Sequence, residues 1–534
     1  MDVAQEPRAE LSPSAHVDTF CRNSLPPANQ WPDLRFTLPE LSYPQRLNCA
    51  DALLSGPDAD RRCLVGSTST WTYGQVRERV AAIAHVLTDE LGLVPGNRVL
   101  LRGPNTPQLA ACWLAVVMAG GVTVATMPML RPGELHSIGD ITKPAFALCD
   151  DRFTDDLAVG LPDLRIVTYT ELESAAARHR EPFAAVATAA DDVALLAVTS
   201  GTTGVPKTTA HFHRDVLAIA DTFSAHVLRP TADDLFLGSP PLAFTYGLGG
   251  ELIFPLRAGA ATLLIERPTP DAIAGAVAEH GVTVLFTAPT AYRAMLAAKK
   301  VPTGLRRCVS AGEPLPRAVS EAFHDATGLW IIDGIGSTEM LHIFISAADD
   351  EVRPGSTGRP VPGYEAAVLD EAGEPVPDGQ PGRLAVRGPT GCRYLSDPRQ
   401  KTYVQHGWNL TGDTYRRDED GYFWYVARSD DMIISAGYNI AGPEVENALL
   451  SSPDVVECGV VAKPDPDRGN VVAAYVVLRP GVVGDAAKAA ELQELVKRQI
   501  APYKCPRVVE FLPELPHTPT GKLQRFKLRA LAGD

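Results

Sequence analysis

No two cysteines in this chain stand at C-x-x-C spacing, which excludes the commonest zinc frameworks. The nine that occur (Cys21, Cys49, Cys63, Cys112, Cys149, Cys308, Cys392, Cys458 and Cys505) are scattered and odd in number. That usage points to free thiols in a reducing cytoplasm. Positive charge is short as well: 49 lysines and arginines face 64 acidic side chains, a formal net charge of −15, with no local basic cluster. Such a surface repels phosphate backbones, so nucleic-acid binding is not expected. The opening MDVAQEPRAE has neither a basic n-region nor an apolar h-region, and no signal peptide is expected. One uncharged run, Leu109 to Leu130, is long enough for a membrane span. Gly120, Gly121 and Pro128 divide it, so a buried helix over 107–119 and a strand over 122–126 fit better, and no membrane association is expected.

What is present is the composition of a folded enzyme, 45% hydrophobic and 21% charged over 534 residues. That length exceeds one core of ordinary size, so more than one domain is expected. From about Leu64 to Leu264, short apolar strands (98–102, 145–149, 193–198, 261–265) alternate with helical patterns (75–91, 107–119, 213–227). The same theme continues through 282–287, 305–310 and 329–333. This alternation predicts an α/β fold of mostly parallel layers. Closely spaced strands at 364–369, 382–387 and 422–427, separated by turns such as PVPDGQPG, predict a small β-barrel-like part. Beyond Arg428 comes a mixed unit of about a hundred residues, domain-sized. The predicted division is 1–429 for a large N-terminal domain and 430–534 for a small, mobile α+β C-terminal domain.

The most informative stretch is TSGTTGVPK, with Thr199, Ser200, Gly201, Thr202, Thr203, Gly204 and Lys207, directly after the strand 193–198. Strand, glycine-rich loop, then helix is the order that presents backbone N–H groups to phosphate, and a helix is predicted from His213. It is not a Walker loop, because Gly201 and Gly204 are too close and Pro206 precedes the lysine. A flexible surface loop is the alternative reading.

T-S-G-T-T-G-x-P-K resembles the phosphate-loop signature of the acyl-adenylate-forming superfamily, which includes acyl- and aryl-CoA ligases, luciferases and peptide-synthetase adenylation domains. Further motifs of that family follow in order. SAGEPLP resembles the turn along the adenine, which implies roles for backbone atoms of Gly312, Glu313 and Pro314. GIGSTEM, preceded by Asp333, resembles Y-G-x-T-E with Ile335 where tyrosine is common. The resemblance puts Asp333 and Gly334 at the nucleotide, the Thr338 hydroxyl at the α-phosphate and the Glu339 carboxylate on Mg²⁺. TGD offers Asp413 to the ribose hydroxyls, an apt use of an acceptor-only carboxylate. RSDDMIISAGYNI resembles the hinge motif, with Arg428 at ribose or phosphate, Asp430 as pivot and Gly437 beside a pantetheine tunnel. PTGKLQR supplies Lys522, similar to the single catalytic lysine on the mobile C-terminal domain. Taken alone, each of these short motifs is also an ordinary turn, a helix start or a solvated charge.

The implied reaction activates a carboxylic acid by attack on the α-phosphorus of ATP, with pyrophosphate leaving, then transfers the acyl group to a thiol. Charge neutralisation carries such a displacement. GSTEMLHIFIS resembles the benzoate-CoA ligase group, in which His342 and Ile343 border the acyl pocket and Thr245 and Tyr246 of PPLAFTYGLGG stand opposite. Gly336 fits the same flat aromatic slot. Thr245 stands where benzoate enzymes of the group tend to carry alanine, which points to an ortho amino or hydroxyl group and to 2-aminobenzoate. Benzoate and salicylate stay open. Twelve residues follow Lys522, so no fused carrier domain is expected. Coenzyme A is then the natural acceptor, with a separate carrier protein, or an inactive nucleotide-binding scaffold, as alternatives. A cytoplasmic monomer or homodimer is expected.

Overall fold

The computed structural model describes residues 11–533 apart from 200–205, 429–430, 436–437, 466–468, 501 and 519–521. Two compact units result: residues 1–366 with 386–409, and residues 367–385 with 410–534.

The larger unit is built on two sheets. In the six-stranded one the order is Ile166–Thr168, Phe146–Cys149, Arg98–Arg102, Val122–Thr126, Val193–Thr199, Lys207–Phe212. All neighbours are parallel except the last pair. Strands covered on both faces read as continuous apolar runs, and Phe146–Cys149 is buried throughout. Arg98–Arg102 is buried from end to end as well, although it begins and ends on arginine. Arg102 is tolerated there because its guanidinium donates to the carbonyls of Phe153, Met127, Pro128 and Leu130 at 2.7–3.0 Å. The uncharged run divides as the breakers predict, into helix Pro107–Met118 and strand Val122–Thr126. Thr106 caps that helix by accepting from the Leu109 N–H at 3.2 Å, and Pro107 occupies its first position. Among the described residues, no helix is long and apolar enough to cross a membrane.

A nine-stranded sheet forms the other layer. Its parallel centre runs Ile331–Gly336, Arg307–Ala311, Val284–Thr287, Leu235–Gly238, Ala261–Leu263, Arg62–Val65. Ile343–Ser346 pairs antiparallel with Ile331–Gly336, so this hairpin carries the whole GIGSTEMLHI stretch. Leu237, Leu285, Tyr292, Met295, Phe323 and Ile331 centre the core against this sheet. The predicted barrel-like part is a five-stranded sheet involving Glu365–Leu369, Pro381–Arg387, Val404–Gln405, Trp408–Arg417 and Phe423–Arg428, with a ladder that is open among the described residues.

The smaller unit packs helices Gly442–Leu450 and Ala486–Gln499 on a sheet of Val455–Asp465, Gly469–Leu478 and Val508–Phe511. Val445, Leu449, Val460, Val476, Leu492 and Val496 form its core. The whole is a mixed α/β protein with a large N-terminal part and a smaller C-terminal one. All nine cysteines are unpaired, and burial pushes the Cys308 thiol up to about 12.

Candidate active site

Ser200, Gly201, Thr202, Thr203 and Gly204 lie outside the described residues, as do Asp430 and Gly437. Their borders are informative. Thr199 ends strand Val193–Thr199 and is paired in register with Lys207. The segment after the loop is therefore a strand, Lys207–Phe212, and the helix begins only at His213. This corrects the expected strand–loop–helix order. The physical reason is that Thr208 to Phe212 are all buried, and β-branched threonines with an aromatic suit a pleated ladder better than a first helical turn.

Lys207 sits in a chain of contacts. Its Nζ lies 3.5 Å from the Tyr394 hydroxyl and 5.2 Å from the centre of the ring. The Tyr394 hydroxyl in turn donates a short hydrogen bond to Glu339 Oε1. Tyr394 is fully buried and Glu339 nearly so. Burial and then the neighbouring Glu339 charge push the phenol far above its usual range, so it stays a donor at any working pH. Glu339 sits in a short 3₁₀ turn, Thr338–Met340, started by Ser337, whose Oγ accepts from the Met340 N–H and meets the Tyr403 hydroxyl, each at 3.2 Å. Behind the turn, His211 Nε2 donates to the Thr338 carbonyl at 2.8 Å. His211 Nδ1 is 3.8 Å from Asp215, which accepts from Arg393 at 2.8 Å with both partners fully buried. Burial alone would raise the Asp215 carboxyl; the Arg393 charge and His211 overcome it and bring it to about 2.

Leu341, with φ of +69°, reverses the chain after the turn. A non-glycine residue in that region is strained, and here the strain lies between Glu339 and His342. Two glycines allow the return strand to close. A Cβ on Gly336 would lie 2.7 Å from the His342 carbonyl oxygen, and one on Gly334 would lie 2.6 Å from Ile343 Cγ2. Asp333, on the same strand, is half-buried, and desolvation raises its carboxyl to about 7. Gly312 follows strand Arg307–Ala311 at φ +91°, a conformation that favours glycine, with Glu313 half-buried and Pro314 exposed beside it.

His342 is buried in an aromatic nest, with Phe254, Phe223 and Tyr246 ring centres at 4.6, 5.4 and 5.6 Å. Among the described residues neither of its ring nitrogens makes a hydrogen bond of good geometry, and burial, opposed only in part by the nearby Tyr246 backbone, lowers its pKa to about 3. It is a neutral imidazole. Tyr246 meets it across the nest, its own hydroxyl shared between the carbonyls of Thr287 and Val309 at 3.2 Å each. Ile343 is buried beside them in sequence. Thr245, in contrast, lines a small apolar cavity with Trp113, Leu195, Phe244 and Leu248.

In the smaller unit, Asp413 and Arg428 are cross-strand partners on Trp408–Arg417 and Phe423–Arg428, with Nη1 3.4 Å from Oδ1. Gly412 at φ +78° leaves the space that Arg428 uses, since a Cβ would lie 3.0 Å from Nη2. Lys522 is exposed, and its backbone is fixed by Thr518, whose Oγ1 accepts from the Lys522 N–H at 3.0 Å while its own N–H donates to the Lys522 carbonyl at 2.7 Å.

Sequence reasoning missed Tyr394, His211, Asp215 and Arg393. Tyr394 lies 187 positions from Lys207. It lies outside the motifs quoted above.

Fold and contacts thus define a protein of α/β layers in which a lysine, a tyrosine and a buried carboxylate are linked in sequence by close contacts. Comparison with known proteins places it further. Residues 55–394 match the AMP-binding enzyme family and residues 444–522 the AMP-binding enzyme C-terminal domain. The benzoate–CoA ligase of Thauera aromatica is 34% identical over 515 residues, 92% of this chain and 98% of that protein. The crystal structure of the anthranilate CoA ligase AuaEII in complex with anthranoyl-AMP superposes with a TM-score of 0.88 at 32% identity, over 93% of this chain and 99% of that one. A benzoate CoA ligase from Burkholderia xenovorans LB400 gives 0.84 at 34% identity, over 90% and 100%. The chain belongs to the AMP-binding enzyme family.

Proposed function

We propose that this enzyme is an AMP-forming aryl-CoA ligase whose preferred acid is 2-aminobenzoate. In the first step the carboxylate oxygen of the acid attacks the α-phosphorus of ATP and the bond to the pyrophosphate oxygen breaks. In the second, the thiol of coenzyme A attacks the carbonyl of the mixed anhydride, giving the thioester and AMP. The observation that carries the reading is the Lys207–Tyr394–Glu339 line beside Thr338 in a chain of this family.

Lys207 and the preceding loop amides hold the leaving pyrophosphate, and the Thr338 hydroxyl is directed to the α-phosphate by the His211 hold on its carbonyl. Gly312, Glu313, Pro314, Asp333 and Gly334 receive the adenine side, and Asp413 and Arg428 the ribose. Glu339 fits Mg²⁺, a hard cation that takes one or two carboxylates plus phosphate oxygens, because among the described residues Tyr394 engages Oε1 and no hydrogen bond falls on Oε2. Mg²⁺ bound there supplies positive charge to the phosphate oxygens. Lys522 bridges acid and α-phosphate where charge develops. Between the two half-reactions residues 430–534 rotate about Asp430, which moves Lys522 and opens a thiol path past Gly437.

For the acid, Tyr246, His342, Ile343 and Gly336 offer an aromatic and apolar wall, and Thr245 offers its hydroxyl from the cavity it lines with Trp113 and Phe244. The names of the relatives support an aromatic acid, both benzoate and anthranilate among them. The test is acid-dependent pyrophosphate release over a panel of benzoate, salicylate and 2-aminobenzoate, with and without coenzyme A. A higher kcat/KM for 2-aminobenzoate and thioester as product are expected. Benzoate ahead of 2-aminobenzoate would refute the substrate, and release that never yields thioester would refute the acceptor.

A further inference from the structure

We propose that His85, His179 and Glu181 form a second, non-catalytic site on the larger unit that takes a late first-row divalent ion, with zinc the best match. None of the adenylation residues contributes to it.

Helix Tyr73–His85 runs on into a π-helical turn, Val86–Glu90, so that His85, Asp89 and Glu90 share one end of the element. The chain after helix Tyr169–Ala176 returns to that end with His179, Glu181 and Phe183. One nitrogen or oxygen from each of His85, His179 and Glu181 lies within 4.8 Å of the other two. Glu181 Oε1 is 2.9 Å from His179 Nδ1 and 3.8 Å from His85 Nε2. A tetrahedral zinc with bonds near 2.05 Å has ligand-to-ligand edges of about 3.3 Å, midway between these distances. Both edges to Glu181 therefore lie within about half an ångström of the tetrahedral value.

The outer contacts carry the argument beyond proximity. His85 Nδ1 is 3.1 Å from Asp89 Oδ2, and His179 Nε2 is 3.0 Å from Glu90 Oε1. Each imidazole thus has one nitrogen on a carboxylate and the other turned to Glu181. A carboxylate on the far nitrogen fixes the tautomer and raises the basicity of the ligating one, the arrangement found behind zinc-bound histidines. The two rings stack at 5.4 Å and 6°, and Phe183 sits edge-on to His85 at 5.0 Å, so the orientations are packed as well as hydrogen-bonded. The Pro182 carbonyl, 3.3 Å from His85 Nε2, competes for that nitrogen as a hydrogen-bond acceptor. Arg178 offsets part of the charge by donating to Glu90 Oε2 at 2.6 Å, which leaves three carboxylates against one guanidinium. Two imidazoles and a carboxylate suit zinc, and they disfavour Mg²⁺ and Ca²⁺, which take oxygen ligands. A bound ion would tie the end of the helix to a segment more than ninety residues further along the chain.

Zinc affinity measured by equilibrium dialysis on the full chain, with magnesium in excess, tests this in wild type, His179→Ala, Asp89→Asn and Glu90→Gln. One zinc equivalent is expected in wild type and its loss in His179→Ala, while the two carboxylate variants bind about 10–100-fold more weakly. Zinc should raise the melting temperature of wild type and leave that of His179→Ala unmoved. Unchanged adenylation activity establishes that each variant is folded. Equal zinc affinity in wild type and His179→Ala, or no zinc bound by wild type, overturns the proposal.

Discussion

Asp215→Asn should unseat the phosphate-side turn without touching any residue that meets substrate. The carboxylate and the Arg393 guanidinium are both fully buried, and Arg393 Nη1 donates to Asp215 Oδ2 at 2.8 Å. Removing one charge of a buried pair leaves the other desolvated and unpaired, at a cost of about 3–5 kcal/mol. Arg393 keeps its stacking on Phe212 at 4.1 Å and Trp31 at 5.1 Å, so the lower end of that range is expected. The pH dependence gives an independent value. The Asp215 carboxyl lies at about 2 against an ordinary 3.8, and at about 1.4 kcal/mol for each such step the depression corresponds to roughly 2 kcal/mol. Because the folded value is the depressed one, this stability is fully present above pH 3.8 and is lost as pH falls toward 2. Denaturant unfolding of wild type and variant, at neutral pH and in acid, reads both quantities. The difference between the two proteins should be largest near neutrality and shrink in acid. A functional consequence follows through His211, which stands 3.8 Å from Asp215 and holds the Thr338 carbonyl, so adenylation should slow while the KM for coenzyme A stays put. A variant within 1 kcal/mol of wild type at pH 7, or a gap that widens in acid, would refute the reasoning.

Lys522→Ala should abolish acyl-adenylate formation yet leave thioester formation from supplied acyl-adenylate nearly intact; equal loss in the two half-reactions contradicts its role. Tyr394→Phe deletes the donor to Glu339, and since hydrogen bonds to charged groups are worth about 1.5–3 kcal/mol, a fall of roughly 10–100-fold in the adenylation rate is expected, read by pyrophosphate release. Gly336→Ala drives a methyl group to 2.7 Å from the His342 carbonyl oxygen, so about 1–3 kcal/mol of stability should go, measured by urea denaturation, with activity falling too. Thr245→Ala should lower kcat/KM for 2-aminobenzoate relative to benzoate by about tenfold, the worth of one hydrogen bond; an unchanged ratio removes Thr245 from substrate selection.

The layering was legible because its signal is local. Helix Pro107–Met118, strand Val122–Thr126 and the strand series through Ile331–Gly336 follow from apolar runs punctuated by glycine and proline. Family motifs named Thr338, Glu339 and Lys207 for the same reason, since each motif occupies consecutive positions. The strand at Lys207–Phe212 escaped that reading: a threonine-rich segment becomes a strand only when Val193–Thr199 lies beside it, and pairing of this kind is a contact across a loop. His342 shows the limit most clearly. Its place in a motif was visible, but its burial among Phe223, Tyr246 and Phe254, which makes it neutral, depends on rings brought from three other elements.

Residue types and their spacing along the chain determined the α/β class and the family chemistry, because hydrogen-bonding period and phosphate-loop composition are properties of neighbouring residues. Which side chain steadies Glu339, which ion pair backs the Thr338 turn, and which two histidines meet near Glu90 were decided by tertiary structure alone. Those partners are separated by 55, 178 and 94 positions respectively, and only the packing of strands and helices converts such separations into contact.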